Sequence, residues 1–231
     1  MKRLISAAIL LAAAPASHVV AQQNWDIAFE QTDKGYRVGN PEADIRLIEF
    51  VSYTCPHCAN FEVQADAPLR LGFVQPGTVQ VEVRHMIRNS VDLAAALATE
   101  CGDPDKFFGN HRRMLRAQEE WLGKARAASD AQQQRWNNGP IGARMQAIAN
   151  DLDFHELMET RGYSVNDLNA CLNDEARARE MVELSNGSAT EFGVRGTPSF
   201  VMNGQLLEGV HNWPALQSAL ETALADEEEA Q

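Results

Sequence analysis

Residues 45–58, IRLIEFVSYTCPHC, lead from a buried strand into a helix and place two cysteines at the junction. The run Ile45–Val51 is rich in β-branched and aromatic residues, which predicts a strand buried inside a sheet. Pro56 favours the start of a helix, because the first turn of a helix does not need the N–H that proline lacks. The sequence therefore predicts that Cys55 and Cys58 lie at a helix N-terminus.

That location favours thiol chemistry. The helix dipole and the unpaired N–H groups of the first turn stabilise a thiolate there. His57 lies between the two cysteines and adds a hydrogen-bond donor or a positive charge. A lowered thiol pKa stabilises the reduced form and so makes the disulfide a stronger oxidant. The motif thus predicts an oxidising pair, with Cys55 as the exposed nucleophile and Cys58 as the resolving thiol behind it.

Two other interpretations of the CPHC motif compete with this one, a structural zinc site and an inert disulfide. A structural zinc site requires two further ligands, and Cys101 and Cys171 are solitary, with no second CxxC and no HxxxH in the chain. The remaining histidines, His85, His111, His155 and His211, also lack ligand spacing. An inert disulfide closing so small a loop would contribute little stability. We therefore expect no metal and no bound cofactor.

The start of the chain predicts export. Lys2 and Arg3 precede an apolar run over residues 4–14, and small residues follow up to Ala21. This is the pattern of a secretory signal peptide spanning residues 1–21. A formal net charge of −12 argues against nucleic acid or an anionic membrane surface as a partner.

Export places the four cysteines in an oxidising compartment, where disulfides persist. Four cysteines allow three complete pairings. One of the three keeps Cys55 and Cys58 as a pair and joins Cys101 to Cys171, and the residues alone leave all three open.

The order of predicted elements indicates an α/β fold with an insertion. Strand, helix and strand come first, and a helix, two short strands around Asn203-Gly204 and a last helix close the chain. We expect these elements, over 41–88 and 173–225, to form one domain around a mixed sheet. A helical block over 89–172 interrupts it. An irregular extension with a short edge strand precedes it at 22–40, and an acidic tail follows it at 226–231.

The chain resembles the DsbA branch of the thioredoxin superfamily, the periplasmic thiol–disulfide oxidoreductases. The resemblance covers roughly residues 40–224, and it implies a thioredoxin-like fold with an inserted helical domain. The residues that carry it are Glu49-Phe50, Cys55-Pro56-His57-Cys58, Phe61-Glu62 and Gly196-Thr197-Pro198.

The resemblance also implies residue roles. Pro198 is expected to be cis and to stand against the thiols, and Thr197, together with Pro56, to contact an extended substrate segment. Glu49 and Glu62 match the family's acidic residues near the buried cysteine, where one assists its proton transfer. For the helical block, the resemblance implies a second, non-catalytic disulfide, Cys101–Cys171; two free buried cysteines are the alternative.

The function implied by resemblance is a periplasmic oxidase, acting as a monomer on unfolded or newly exported proteins that contain cysteines. A DsbB-like membrane protein would reoxidise it. A disulfide reductase or isomerase of the same fold is the alternative, since Thr197 replaces the valine of the best-known oxidases and is more usual in the isomerase branch. A third hypothesis is a non-catalytic module that binds a thiophilic metal or holds unfolded chains.

Overall fold

A computed structural model describes residues 23–229, so the predicted signal peptide lies outside the described residues. Six strands form a single sheet within this range. They are β1 (Phe29–Gln31), β2 (Tyr36–Val38), β3 (Ile45–Val51), β4 (Val79–His85), β5 (Ser199–Met202) and β6 (Gln205–Leu206).

Helices make up most of the rest of the described chain. In chain order they are α1 (Pro56–Leu69), α2 (Ser90–Thr99), α3 (Phe107–Arg116), α4 (Gln118–Arg126), α5 (Asp130–Asn137), α6 (Ile141–Asp151), α7 (Phe154–Glu159), α8 (Val165–Leu172), α9 (Glu175–Phe192) and α10 (Trp213–Glu229). Within residues 23–229, none of these helices is both long and apolar enough to cross a membrane.

The sheet is mixed, with strand order β1-β2-β4-β3-β5-β6. Strand β3 runs parallel to β4 and antiparallel to β5, and its residues Phe50 and Val51 are fully buried. Phe50 pairs with Ser199, the first residue of β5. This register brings the end of β3, which leads into the CPHC motif, beside the residues that precede β5, Thr197 and Pro198. Cys55 and Thr197, which are 142 residues apart in sequence, therefore meet at one edge of the sheet.

The helices α2 to α8 follow β4 and pack onto the same hydrophobic core as the sheet. Phe107 of α3 stacks on Tyr36 of β2 with ring centroids 3.9 Å apart. Cys101, just after α2, is joined to Cys171 of α8 with an S–S distance of 2.05 Å and a Cα–Cα distance of 5.6 Å. The fold class is therefore the expected one, an α/β sheet domain with a helical insertion.

Three regions differ from the sequence-based expectations. The extension over 22–40 contains two strands, and β2 is an interior strand because β1 covers its outer edge. Within the helical block, the sequence predicts helices over 91–100, 105–118, 141–152, 154–161 and 165–172 and none over 119–140, which holds α5 and all but the first residue of α4. Their exposed faces are polar, and few apolar residues mark a periodic stripe. The last helix, α10, extends through the acidic residues at 226–229.

Candidate active site

The two cysteines of the CPHC motif lie at the start of α1, as their position in the sequence predicts. Cys55 occupies the N-cap position, with extended backbone angles, and Pro56 is the first helical residue. Both cysteines are free thiols. Cys58 is fully buried, whereas 4% of Cys55 is exposed. The prediction that Cys55 is an exposed nucleophile was too strong: it is the outer sulfur of the two, but the chain around Thr197 covers it.

The segment that covers Cys55 contains a cis peptide bond between Thr197 and Pro198. The Cys55 thiol donates a hydrogen bond to the carbonyl oxygen of Thr197, with an Sγ–O distance of 3.2 Å. On the far side of the same segment, the ring nitrogen Nδ1 of His211 donates to the carbonyl oxygen of Pro198 at 2.8 Å. His211 was not expected to be part of the site, because a solitary histidine carries no sequence signal for such a contact.

The surroundings of Cys55 favour its thiolate. Its pKa is lowered from an ordinary value near 9 to about 4. The largest cause is a hydrogen bond from the Cys58 thiol, and the Thr197 hydroxyl and the backbone N–H groups of Cys58 and His57 act in the same direction. Partial burial opposes them and is outweighed. The Thr197 hydroxyl is buried and makes no hydrogen bond within the described chain, so its effect on the pKa of Cys55 requires the hydroxyl to turn toward the sulfur once the thiol ionises.

Cys58 has the opposite character. Its burial raises its pKa well above the ordinary value, and the neighbouring Cys55 adds to this effect. A low-pKa thiol is the better leaving group and the more populated thiolate at neutral pH, whereas a high-pKa thiol stays protonated. Cys55 is therefore suited to form mixed disulfides. Cys58 must lose a proton when the Cys55–Cys58 bond forms and gain one when that bond breaks.

The side chain of His57 is exposed. Together with Asn60, Gln64, Thr197 and His211 it lines an open cleft beside the thiols. The contribution of His57 to the lowered pKa of Cys55 comes from its backbone N–H. The role of the imidazole ring thus stays a prediction.

A narrow cavity of about 60 Å³ lies under α1 and is lined by both predicted acid–base residues, Glu49 of β3 and Glu62 of α1. Burial raises the pKa of Glu49 to about 8, with the charge of Glu62 adding to the effect. Burial, followed by the charge of Asp66, raises the pKa of Glu62 to about 7, although Arg116 binds its carboxylate at 3.2 Å. Both carboxyls can therefore hold or release a proton near neutral pH.

The cavity and the thiols are linked through α1. Cys58 and Glu62 are four residues apart on the buried face of this helix, which places them on adjacent turns. Glu49 couples to Glu62 across the cavity. The structure thus brings the cysteines and Thr197-Pro198 together in one group and the two glutamates together in another, with one helical turn between the groups.

No three His, Cys, Asp or Glu side chains converge on a possible metal position within residues 23–229. His85 and His111, weighed above as ligands, are instead hydrogen-bonded in the interior. His85 pairs with Glu100 at 3.1 Å, and His111 pairs with the Tyr53 hydroxyl at 2.9 Å.

We expect the Cys55 thiol to titrate far below an ordinary cysteine. In the reduced protein, thiolate absorbance followed against pH should show a midpoint near pH 4, because the donors described above stabilise the anion. His57→Ala should raise this midpoint and weaken the pair as an oxidant, since the ring adds a donor or positive charge beside the sulfur. An unchanged midpoint in that variant would mean that the helix terminus and backbone donors act alone.

Comparison with known proteins places this site in context. A model of the thioredoxin family matches residues 31–222, which is most of the chain. The crystal structure of a protein-disulfide isomerase from Novosphingobium aromaticivorans superposes with a TM-score of 0.79 and 41% sequence identity, covering 81% of this chain and 96% of that one.

More distant relatives agree in fold. Alpha-DsbA1 of Wolbachia pipientis superposes with a TM-score of 0.67 at 15% identity, covering 88% of this chain and 97% of that one. A putative protein-disulfide oxidoreductase of Rickettsia felis is 24% identical over 204 residues, which is 88% of this chain and 65% of the relative. The chain therefore spans about two thirds of the length of that curated relative.

Proposed function

The chain belongs to the thioredoxin family and has the DsbA-like fold within it, and on that premise we propose that it is a dithiol–disulfide oxidase for exported proteins. The observation that carries the proposal is the asymmetry of the pair: the pKa of Cys55 is lowered to about 4, whereas burial raises that of Cys58. Such an asymmetry stabilises the reduced form, which bears the thiolate, and therefore makes the disulfide form oxidising.

The reaction begins with the pair as a disulfide. A substrate thiolate attacks Sγ of Cys55, a substrate–Cys55 bond forms, the Cys55–Cys58 bond breaks, and Cys58 leaves as a thiolate that takes up a proton. A second substrate thiolate then attacks the substrate sulfur of the mixed disulfide. Cys55 leaves as its stabilised thiolate, the substrate gains a disulfide, and two electrons have passed to the pair.

The substrate has a docking position beside the outer sulfur. The carbonyl of Thr197 points at Cys55 from 3.2 Å, and the cleft lined by His57 and His211 opens next to it. We place an extended substrate segment there, paired with the backbone of Thr197 and passing over Pro56. Pro198 holds the chain that forms this edge.

We propose that the proton taken up by Cys58 comes from the carboxyl groups that line the cavity under α1. The thiolate that leaves in the first step has a raised pKa and needs a proton donor close by. Glu62, one helical turn away, and Glu49 behind it have pKa values raised to about 7 and about 8, so both carry protons for part of the time at neutral pH.

Glu49→Gln is expected to slow the steps in which the bond of Cys58 forms or breaks. Positioned proton transfer contributes roughly 100-fold or more to such steps, and a loss of about tenfold or more in single-turnover rate is expected because Glu62 remains. Stopped-flow fluorescence with a cysteine peptide measures this rate. Glu82→Gln is the matched control: it removes a carboxyl that is equally buried in the same sheet but is ion-paired with Arg37 and Arg84.

The raised pKa of Glu49 also leads to a prediction about the stability of the protein. The folded-state pKa of this carboxyl, about 8, lies above the ordinary value of 4.5, so folding opposes its ionisation. The penalty is absent below about pH 4.5, grows as pH rises, and levels off above about pH 8. Glu49→Gln should therefore have a higher Tm than the unchanged protein at pH 8 and little advantage at pH 4.5. Equal Tm differences at the two pH values would show that the carboxyl is not destabilised by burial.

We propose that the protein works in the periplasm as a monomer, with a DsbB-like membrane protein as its reoxidant. The predicted signal peptide and the oxidising chemistry of the pair support this placement. A disulfide isomerase or reductase is the second candidate, favoured by Thr197 and by the 41% identical Novosphingobium protein, whose name is protein-disulfide isomerase. The non-catalytic hypothesis has no metal-ligand cluster to support it in the described chain.

A disulfide-transfer assay tests the proposal. Oxidised protein is mixed in equimolar amount with a reduced, unfolded protein that contains several cysteines, and free thiols are counted over time. An oxidase transfers its disulfide to the substrate, so the free thiols of the substrate decrease and Cys55 and Cys58 end reduced. An isomerase instead restores activity to a substrate with scrambled disulfides when it is supplied in the reduced form.

A further inference from the structure

The loop that delivers Cys55 to the start of α1 is held by side chains of the inserted helices. Gln118, the first residue of α4, donates two hydrogen bonds from its amide nitrogen. One goes to the carbonyl of Tyr53 at 2.6 Å and the other to the carbonyl of Cys55 at 2.9 Å. Gln118 is itself only 3% exposed, so water does not compete for these bonds.

A second side chain holds the other end of the same loop. Asp92, in the first turn of α2, is fully buried and accepts hydrogen bonds from the N–H of Tyr53 at 2.8 Å and from the hydroxyl of Ser52 at 2.5 Å. The Tyr53 residue therefore has its N–H bound by one inserted helix and its C=O by another. These contacts come from outside the sheet domain that carries the CPHC motif.

We propose that Gln118 is a positioning residue which, with Asp92, clamps residues 52–55 so that the sulfur of Cys55 stays aligned with the donors of the first turn of α1. The proposal rests on the oxidase function above and gives the helical insertion a part in the redox chemistry. Its consequence is that the inserted helices tune the oxidising strength of the Cys55–Cys58 pair through the backbone of the loop, without contacting either sulfur.

The alignment matters because the groups that stabilise the thiolate of Cys55 are hydrogen-bond donors, whose effect depends on their direction. The N–H groups of His57 and Cys58 and the Thr197 hydroxyl all lower the pKa of Cys55. Hydrogen bonds weaken steeply when the angle at the donor departs from linear. The carbonyl of Cys55 also accepts the first bonds of α1, from Cys58 at 3.1 Å and from Ala59 at 3.4 Å. Without Gln118, this carbonyl keeps only these two longer bonds, so the backbone of the nucleophile is held less firmly.

The protein contains a closely matched control. Asn110 of α3 is fully buried and also donates from one amide nitrogen to two backbone carbonyls, those of Thr99 at 3.2 Å and Cys101 at 3.3 Å, with the Tyr163 hydroxyl as a further partner at 2.9 Å. It belongs to the same insertion but touches neither the loop nor the thiols. Gln118→Met and Asn110→Leu each remove a buried amide of the same kind and keep roughly the same volume.

Three quantities are measured on both variants and the unchanged protein: the free energy of unfolding, the thiolate midpoint of Cys55, and the redox equilibrium with glutathione. Both variants should lose stability. Only Gln118→Met should shift the redox equilibrium, by about 3- to 10-fold toward a weaker oxidant, which is the range of one net hydrogen bond. Its thiolate midpoint should rise in parallel by about half to one pH unit.

Two outcomes overturn the proposal: a midpoint and equilibrium unchanged in Gln118→Met, or an equal shift in Asn110→Leu. If Gln118→Met does not fold, Gln118→Glu replaces it. This side chain keeps its length, donates to one of the two carbonyls when protonated and repels both when ionised, so the shift in the redox equilibrium should grow as pH rises. The thiolate midpoint needs no substrate, so this test still decides the role of Gln118 if the protein proves not to be an oxidase.

Discussion

Cys58→Ser is expected to convert the protein into a trap that accumulates mixed disulfides with exported proteins. The outer thiol, Cys55, loses the hydrogen bond from the Cys58 thiol, which is the largest cause of its lowered pKa, but it keeps the backbone donors of the first turn of α1, and a serine hydroxyl can donate in place of the lost thiol. Cys55 attacks substrate disulfides and forms a covalent adduct. With the inner sulfur absent, Cys58 can no longer displace the bound substrate from Cys55, and the active-site disulfide that oxidises substrates cannot form. Turnover should therefore fall to near background.

The adducts are isolated from the exported fraction on a non-reducing gel and mapped by mass spectrometry. Every adduct should join a substrate cysteine to Cys55 and disappear on reduction. Cys55→Ser is the matched control and should yield none, because the remaining thiol, Cys58, is fully buried and its pKa is raised. Adducts through Cys101, or an equal yield from both variants, would contradict the assigned roles.

Removing the Cys101–Cys171 bond is expected to cause a large loss of stability while leaving the redox equilibrium of the Cys55–Cys58 pair unchanged. The bond links positions 70 residues apart, and closing a loop of that length in the unfolded chain corresponds to about 4 kcal/mol in the chain-entropy model. The double variant Cys101→Ala, Cys171→Ala should therefore unfold at a clearly lower denaturant concentration.

The readouts for this variant are guanidinium unfolding and the glutathione equilibrium of the CPHC pair. The unfolding midpoint should drop, whereas the equilibrium should stay within about twofold of the unchanged protein, because the bond lies in the insertion and contacts neither thiol. A shifted glutathione equilibrium together with an unchanged unfolding midpoint would contradict a purely stabilising role for the Cys101–Cys171 disulfide. Both substitutions are needed together, since a single one leaves an unpaired thiol that could exchange with the active pair.

The sequence predicts the centre of the sheet better than its margins. The run over β3 is apolar enough to identify a buried strand, and the Asn203-Gly204 turn places β5 and β6. The short strands β1 and β2 are stabilised by their pairing with β4, which local propensity does not encode. Helices α4 and α5 contain many polar residues, so their hydrophobic spacing is too weak to be recognised.

The candidate site likewise contains residues that the sequence predicts and residues that only the structure brings to it. The CPHC motif at a strand–helix junction indicates its chemistry from the residues alone, because a helix N-terminus stabilises a thiolate. Thr197 and Pro198 entered through the resemblance, since no local rule connects them to a motif 140 residues away. Gln118 and Asp92 have no sequence signature at all. Their role depends on how the inserted helices dock onto the loop before Cys55, which only the three-dimensional structure shows.

The redox equilibrium of the Cys55–Cys58 pair against glutathione tests the central claim most directly. Protein is equilibrated in buffers of defined glutathione ratio, quenched with acid and alkylated, and the reduced fraction is read by mass spectrometry. A stabilised Cys55 thiolate predicts a potential well above that of thioredoxin, nearer to about −120 mV, the value for DsbA, than to about −270 mV. A potential at or below about −270 mV would contradict the account, because electrons would then flow from this pair to its substrates.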